Sequence, residues 1–436
     1  MSRNSLITPQ NVIFALLSFE GPDRYSLAGG LGVRMSELSK ALAEAGFQTH
    51  LYFIGDPDEN PEEQLLDGKL VLHRWSQWIS KYYPKGVYQG EWEKKSDFDS
   101  SLPGNLVEDI VRPAVAEGKV TIIMAEDWHT ADVTIAISDL LYHLKLRDKV
   151  IILWNANNPM GFEHINWGRL DFVSELTAVS KYMKHEMWEL GVNPIVIPNG
   201  IPGRLLDTPN EDYATRIRNA FKSRVLLFKI GRWDAAKRWN MALESIAHLK
   251  QMGVNPLLLA RGGAEPYEGK VMALATNLEL KVQPLRLPDG VQPTPETCLQ
   301  ALESVDADVD VINLKFFVEE EFLRAIYRSA DCVLANSGME PFGLVGLEAM
   351  AAGGIVFTGA TGEDYARSFE NAVVIESDDA VEITHYVLRI MADAELRKSI
   401  KEAARQTANK YTWDKIVVEL LTKLEYIAMR DDVGLE

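Results

Sequence analysis

Hydrophobic and polar positions alternate in blocks along the chain. Short runs that are apolar throughout recur, and segments with helical periodicity separate them. Strands that are apolar on both faces and alternate with helices predict parallel sheets covered by helices on both sides. In the first half these runs are NVIFALLSF, HLYFIG, VTIIMA, VIILWN and PIVIPNG. In the second half they are VLLFKIG, PLLLARGG, VDVINL, DCVLANS, GIVFTG and AVVIES.

Two such series predict two doubly wound α/β domains, as expected for a chain of 436 residues. A stretch rich in proline, glycine and polar residues, 197–212, separates the series. We therefore predict an N-terminal doubly wound domain at 1–204 and a C-terminal one at 205–411. The last segment, 412–436, is an amphipathic helix with no strand after it, so its apolar stripe must pack on a surface already built.

Charge and composition exclude several kinds of binding partner and cellular location. The net charge of −18 argues against nucleic acids and anionic membranes as main partners. The first apolar run is short and reads as a strand rather than a signal peptide. No segment has the roughly 20 apolar residues that a membrane helix needs. Two cysteines, Cys298 and Cys332, are too few for a disulfide framework. We expect a cytoplasmic protein of unknown oligomeric state.

A glycine-rich turn, SLAGGLG, follows the first strand. Gly29, Gly30 and Gly32 precede a helix, where backbone N–H groups can approach a phosphate. The same residues also suit an ordinary tight strand-to-helix turn. A nicotinamide-dependent oxidoreductase is one functional alternative, but the spacing departs from the G-x-G-x-x-G pattern.

Two cations follow the first strand of the second series. Arg232 and Lys237, in GRWDAAK, stand five positions apart just beyond its carboxyl end. An arginine fork and a lysine point charge together suit a diphosphate. Either one alone is more typical of a solvated helix start.

Two glutamates interrupt the apolar stretch ANSGMEPFGLVGLEAMAAGG. Glu340 lies in a loop and Glu348 within the helix that begins near Gly343. A carboxylate in an apolar setting costs several kcal/mol unless it is hydrogen-bonded, so sugar and ribose hydroxyls are natural partners. The alternative is a helix N-terminal charge and a surface position.

These motifs, together with EDWH (126–129), TAVS, IPNGI and YTWDK, resemble family 4 of the retaining glycosyltransferases. That group includes glycogen and starch synthases, sucrose synthase and sucrose-phosphate synthase. The resemblance implies the GT-B fold, in which two Rossmann-like domains flank the donor cleft. It also implies that the final helix crosses back onto the N-terminal domain.

The resemblance further implies roles for individual residues. Glu340 would lie beside the donor sugar and Glu348 would bind ribose hydroxyls. Arg232 and Lys237 would hold the leaving diphosphate, and His129 would lie near the sugar. The backbone of the glycine turn, at Gly30 above all, and of Phe342, Gly343 and Leu344 would contact phosphate and sugar.

The expected activity is retaining transfer of a hexose, glucose by preference, from a nucleotide diphosphate sugar to a soluble carbohydrate or small polar acceptor. We expect no cofactor and no metal, and we interpret the D-x-D pattern at 306–310 as a loop end. A non-catalytic nucleotide- or sugar-binding protein of the same fold is the alternative. The acceptor and the nucleotide base are left open.

Three features bear on the acceptor and donor. Leu27 stands where glycogen synthases have a lysine, which makes glycogen or starch synthesis less favoured. TGATGEDYA replaces the usual double glycine after the strand at Ile355. The aromatic-rich segment 75–92 offers ring faces for sugars, although the helical spacing of Trp75, Trp78 and Tyr82 favours core or lid packing.

Overall fold

A computed structural model describes residues 6–306, 308–431 and 433. Contacts divide the chain into two compact units. Unit 1 runs to Gly200 and resumes at Thr412, and unit 2 is Ile201–Tyr411. The corresponding boundaries predicted from the sequence are 204 and 411.

Unit 1 contains an eight-stranded sheet in the order β3-β4-β2-β1-β5-β6-β7-β8. All neighbours are parallel except β3, which is antiparallel to β4. Strands β3, β4 and β7 were not among the predicted runs; the residues of β3 are polar and largely exposed. Every residue of β5 and β6 is buried, as a strand covered on both faces requires. The strands are β1 (Val12–Leu17), β2 (Gln48–Ile54), β3 (Glu62–Leu65), β4 (Leu70–Trp75), β5 (Val120–Glu126), β6 (Val150–Ala156), β7 (Glu175–Ala178) and β8 (Ile195–Val196).

Helices cover this sheet. A π-helical turn, Val107–Val111, joins α3 to α4. The helices before the crossing into unit 2 are α1 (Gly30–Glu44), α2 (Gln77–Ser80), α3 (Glu91–Leu106), α4 (Arg112–Ala116), α5 (Ala131–His143), α6 (Trp167–Val173) and α7 (Lys181–Trp188).

Unit 2 has a seven-stranded, fully parallel sheet in the order β11-β12-β10-β9-β13-β14-β15. Its strands are β9 (Val225–Ile230), β10 (Pro256–Arg261), β11 (Val282–Leu285), β12 (Val311–Leu314), β13 (Cys332–Ala335), β14 (Val356–Thr358) and β15 (Val373–Val374). Its helices are α8 (Glu211–Ala220), α9 (Trp239–Gln251), α10 (Glu268–Asn277), α11 (Pro295–Glu303), α12 (Glu320–Ser329), α13 (Leu344–Ala351), α14 (Ala380–Ala392) and α15 (Ala394–Ala408).

The last helix, α16 (Trp413–Arg430), belongs to unit 1 and packs against α1. Trp413 lies so close to Gly200 that a Cβ there would come within 2.5 Å of the indole ring. The guanidinium of Arg34 lies 5.9 Å from the centre of the same ring. The predicted return of this helix to the first domain is thus present in the structure.

The order of the strands shows which loops lie at the reversal point of each sheet. In each sheet the winding direction reverses beside the first strand, between β1 and β5 in unit 1 and between β9 and β13 in unit 2. Ligands of doubly wound sheets bind beyond the carboxyl ends of the strands at such points. The segments after these four strands carry every site residue predicted from the sequence. Among the described residues, no helix is long and apolar enough to cross a membrane.

Candidate functional site

An ion pair joins the two loops at the reversal point of unit 2. Asp234 caps a short turn by accepting a hydrogen bond from the Ala236 N–H (2.8 Å), and Lys237 ends that turn. The Lys237 ammonium donates to Oε2 of Glu340 at 2.5 Å, and the two side chains are 24% and 21% exposed. The Gly338 N–H also donates to the Ala236 carbonyl at 2.7 Å. Two predicted site residues are therefore in direct contact.

The start of α13 presents free backbone donors. Gly343 has φ +82°, a left-handed conformation that favours glycine, and it directs the chain into the helix. In the part of the chain that the structure describes, the N–H groups of Leu344 and Val345 have no backbone acceptor. Phe342 is buried and its ring lies 5.9 Å from that of Tyr365. This helix start has the features of an anion site.

Glu348 lies on α13, half-buried. Its Oε2 accepts a hydrogen bond from the hydroxyl of Tyr327 at 3.3 Å. Burial raises the pKa of Glu348 to about 7. The carboxyl is thus only partly ionised near neutral pH and has room for a further hydroxyl donor.

Two buried ionisable groups near Glu340 were not predicted. Lys229, in β9, donates to Oδ1 of Asn336 at 2.6 Å, and burial, followed by the charge of Lys237, lowers its pKa to about 7. Glu363 follows β14; burial, and then the charge of Glu340, raises its pKa to about 8. One Glu363 oxygen has no hydrogen-bond partner among the described residues. The sequence could have pointed to Lys229, because it is a charged residue inside the apolar run VLLFKIG. No comparable feature of the sequence marks Glu363.

Arg232 does not join this cluster. Its side chain is exposed, and among the described residues it forms no ion pair with Glu340 or Glu348. Its carbonyl accepts from the indole N–H of Trp239 at 2.9 Å, which fixes the backbone but leaves the guanidinium in solvent.

The glycine turn of unit 1 holds an internal carboxylate. Glu20 stands three residues after the end of β1. Its Oε2 accepts hydrogen bonds from the N–H groups of Gly29 (2.8 Å) and Gly32 (3.0 Å). The Tyr88 hydroxyl donates to its other oxygen at 2.5 Å. Two of the three glycines expected to face a phosphate thus already donate to a side chain. Only Gly30, the first residue of α1, retains an uncommitted N–H among the described contacts.

His129 follows β5 and lies in an aromatic cage. Its ring stacks on Phe19 with centroids 4.1 Å apart and lies 4.0 Å from that of Trp128. The Nε2–H donates to Oε1 of Glu91 at 2.7 Å. Nδ1 is buried and has no partner among the described residues. Burial lowers the pKa of His129 and favours the neutral ring, in which Nδ1 is an acceptor.

Two aspartates of the acidic run at 306–310, Asp308 and Asp310, pair with lysines. Asp308 pairs with Lys281, and Asp310 lies 2.7 Å from the Lys250 ammonium. Among the described residues, no group of three or more His, Cys, Asp and Glu side chains could hold a metal ion.

Residues 305–407 match the family model described as "Glycosyl transferases group 1". This stretch contains Glu340, the start of α13, Glu348 and Glu363. A D-inositol 3-phosphate glycosyltransferase from Salinispora tropica is 36% identical over 101 residues, which are 23% of this chain and only 21% of that relative. One from Geodermatophilus obscurus is 28% identical over 421 residues, covering 90% of this chain and 84% of the relative.

Solved structures match the whole fold. Sucrose-phosphate synthase from Thermosynechococcus elongatus has a TM-score of 0.69 at 18% identity and covers 96% of this chain and 100% of its own. A trehalose-6-phosphate protein from E. coli bound with UDP-2-fluoro glucose has a TM-score of 0.65 at 13% identity, over 94% of this chain and 98% of its own. These are GT-B proteins, and the predicted fold class is confirmed.

Proposed function

We propose that this chain, a glycosyltransferase with the GT-B fold, transfers a hexose, by preference glucose, from a nucleotide diphosphate sugar to a soluble carbohydrate or small polar acceptor. The observation that carries the proposal is the contact of Lys237 with Glu340, beside the open N–H groups of α13. A cation, a carboxylate and a helix start at one reversal point are the groups that a sugar diphosphate requires. A structural neighbour bound with UDP-2-fluoro glucose supports this class of donor.

Lys237 and the start of α13 stabilise the leaving group. As the bond between the sugar and the diphosphate breaks, negative charge grows on the phosphate oxygens. An ammonium and oriented N–H groups placed there lower the barrier electrostatically. The exposed Arg232 guanidinium closes on the same diphosphate, while Glu340 orients Lys237 and accepts from sugar hydroxyls.

Glu348 binds the nucleotide half of the donor. Its carboxyl has one weak internal donor, Tyr327, and accepts the two ribose hydroxyls when it is ionised. The pKa of about 7 makes this contact dependent on pH near neutrality. In unit 1, the resemblance implies that His129 lies near the donor sugar. Within the glycine turn, the N–H group of Gly30 is the one that contacts a phosphate.

The reaction proceeds with retention. The acceptor oxygen attacks the face from which the diphosphate departs, and its proton passes to the leaving phosphate oxygen. No protein nucleophile is needed, and the two glutamates do not form a hydrolase pair of acid and nucleophile. We propose that the enzyme works in the cytoplasm without cofactor or metal and without nucleic acid or membrane partners.

A donor and acceptor screen tests this function. Release of nucleoside diphosphate is measured from UDP-, ADP- and GDP-glucose against pooled neutral and phosphorylated sugars, with NADH titration as a comparison. We expect one donor to turn over with one acceptor pool. That donor should bind, whereas NADH should not. The anomeric configuration of the product, determined by NMR, should equal that of the donor. Donor binding without turnover in any pool would instead favour a binding protein, and an inverted product would reject retention.

A further inference from the structure

A groove on unit 1 is lined by exposed aromatic rings. Trp78, Tyr82 and Trp92 are 62%, 77% and 55% exposed, and with Tyr83 they line one open groove of about 680 Å³. Trp78 lies on the four-residue α2 and Tyr82 after it, so the helical spacing seen in the sequence does not form a buried stripe. Core packing, an interpretation that the sequence favoured, is therefore wrong for Trp78 and Tyr82.

The other side of the groove is polar. Helix α3 presents Trp92, Ser96 and Ser100 at intervals of four residues, and Glu93 and Asp97 lie beside them. No cationic side chain is among the described residues that line this groove. Ring faces therefore meet hydroxyl and carboxylate groups across one groove.

Both carboxylates are held in place. The Tyr83 hydroxyl donates to Oε1 of Glu93 at 3.0 Å, and the Ser76 hydroxyl donates to Oδ2 of Asp97 at 2.8 Å. Each carboxylate keeps a second oxygen for an incoming donor. Fixed acceptors of this kind reduce the ordering cost of binding.

This lining selects one kind of occupant. Pyranose rings have apolar C–H faces that pack on aromatic rings and hydroxyl edges that donate to carboxylates. A purely apolar partner would bury the second oxygen of each carboxylate without a donor, at a cost of several kcal/mol. An anionic ligand would meet the like charges of Glu93 and Asp97. A neutral sugar chain avoids both penalties.

Ring contacts link the wall of the groove to His129. The Trp92 ring lies 5.2 Å from that of Trp128, which in turn lies 4.0 Å from the His129 ring. We propose that this groove binds a neutral oligosaccharide, and, resting on the proposed function, that this oligosaccharide is an extended acceptor of the transfer reaction.

Calorimetry with defined sugars tests the groove without any donor. Maltohexaose, cellohexaose and laminarihexaose are titrated into the full chain and into the variants Trp78→Ala and Tyr82→Ala. We expect at least one hexasaccharide to bind, about tenfold more weakly in either variant, because one ring face is lost. Trp188→Ala is the matched control: Trp188 lies in the same unit, is 52% exposed and is not part of the groove, so its variant should bind normally.

Kinetics separate this proposal from the proposed function. With the active donor, both groove variants should raise the KM for the hexasaccharide about tenfold and leave kcat with a monosaccharide acceptor unchanged. Binding that is lost in the variants, with no turnover for any acceptor, would retain the groove and reject the transfer reaction. No binding of any hexasaccharide, or equal weakening in Trp188→Ala, would overturn the groove. A dimer in sedimentation that Trp78→Ala dissociates would also overturn it, since the face would then pair two copies.

Discussion

Replacing Lys237 with methionine separates a catalytic role of its ion pair with Glu340 from a structural one. Methionine keeps most of the side-chain volume and removes the charge. The pair is about a quarter exposed to solvent, and exposed pairs contribute only about 0–1 kcal/mol to folding. Loss of a cation that meets the growing charge of a leaving group costs about 100-fold in kcat, or about 2.7 kcal/mol. The effect on the barrier should therefore exceed the effect on folding by a clear margin.

The assay measures nucleoside diphosphate release at saturating donor, with thermal unfolding of each variant alongside. Lys250→Met is the matched control, because Lys250 also forms an ion pair at 2.7 Å in unit 2, with Asp310, away from the two reversal-point loops. We expect Lys237→Met to lose about two orders of magnitude in kcat and at most about 1 kcal/mol of stability, and the control to keep its turnover. Turnover within threefold of the parent protein, with the fold intact, would remove Lys237 from the mechanism.

Arg232→Ala should lower turnover by about two orders of magnitude and leave the thermal stability of the protein unchanged, because the side chain is exposed. Unchanged turnover would exclude Arg232 from the diphosphate site. Glu348→Gln should weaken UDP binding in calorimetry and abolish its rise between pH 6 and pH 8, because the raised pKa of Glu348 ionises the carboxyl over that range. Because the folded-state pKa lies above the ordinary value of 4.5, the parent should lose stability as pH rises from about 4.5 to 7, and the variant should lack that loss. Glu340→Gln should spare UDP binding and depress transfer; equal loss of affinity in both variants would contradict this division. Gly362→Ala should cut turnover by about tenfold or more, because the new Cβ would lie 2.2 Å from the Glu340 carbonyl oxygen, whereas Gly269→Ala, with no atom within 4 Å, should not.

Most of the fold could be predicted because its strands are buried on both faces and therefore stand out as apolar runs. The end of α1 has a local signal as well, because the helix ends at Glu44 and Gly46 follows with φ +98°. The strand β3 escaped prediction because an exposed antiparallel edge needs no apolar residues. The rings of Trp78 and Tyr82 were misassigned because spacing alone cannot show that α2 is only four residues long.

The segments that carry the candidate site could be located from the sequence, but the pairings of their side chains could not. Lys237 and Glu340 are 103 positions apart, and only the adjacency of β9 and β13 brings their loops together. The carboxylate of Glu20 in the glycine turn is equally invisible in the sequence, because a turn that binds phosphate and one that binds its own side chain use the same glycines. Contacts of this kind depend on strand order, which a single sequence does not contain.

The return of α16 to unit 1 has a consequence for the order in which the protein is made. Unit 2 is continuous, whereas unit 1 lacks α16 until all of Ile201–Tyr411 has been synthesised. At about 5–20 residues per second, that interval lasts roughly 10–40 seconds. During this time the face of α1 that α16 covers in the folded protein is exposed to solvent. The unit that leaves the ribosome first is therefore the last to complete its core, and a nascent chain halted at Tyr411 should need a chaperone.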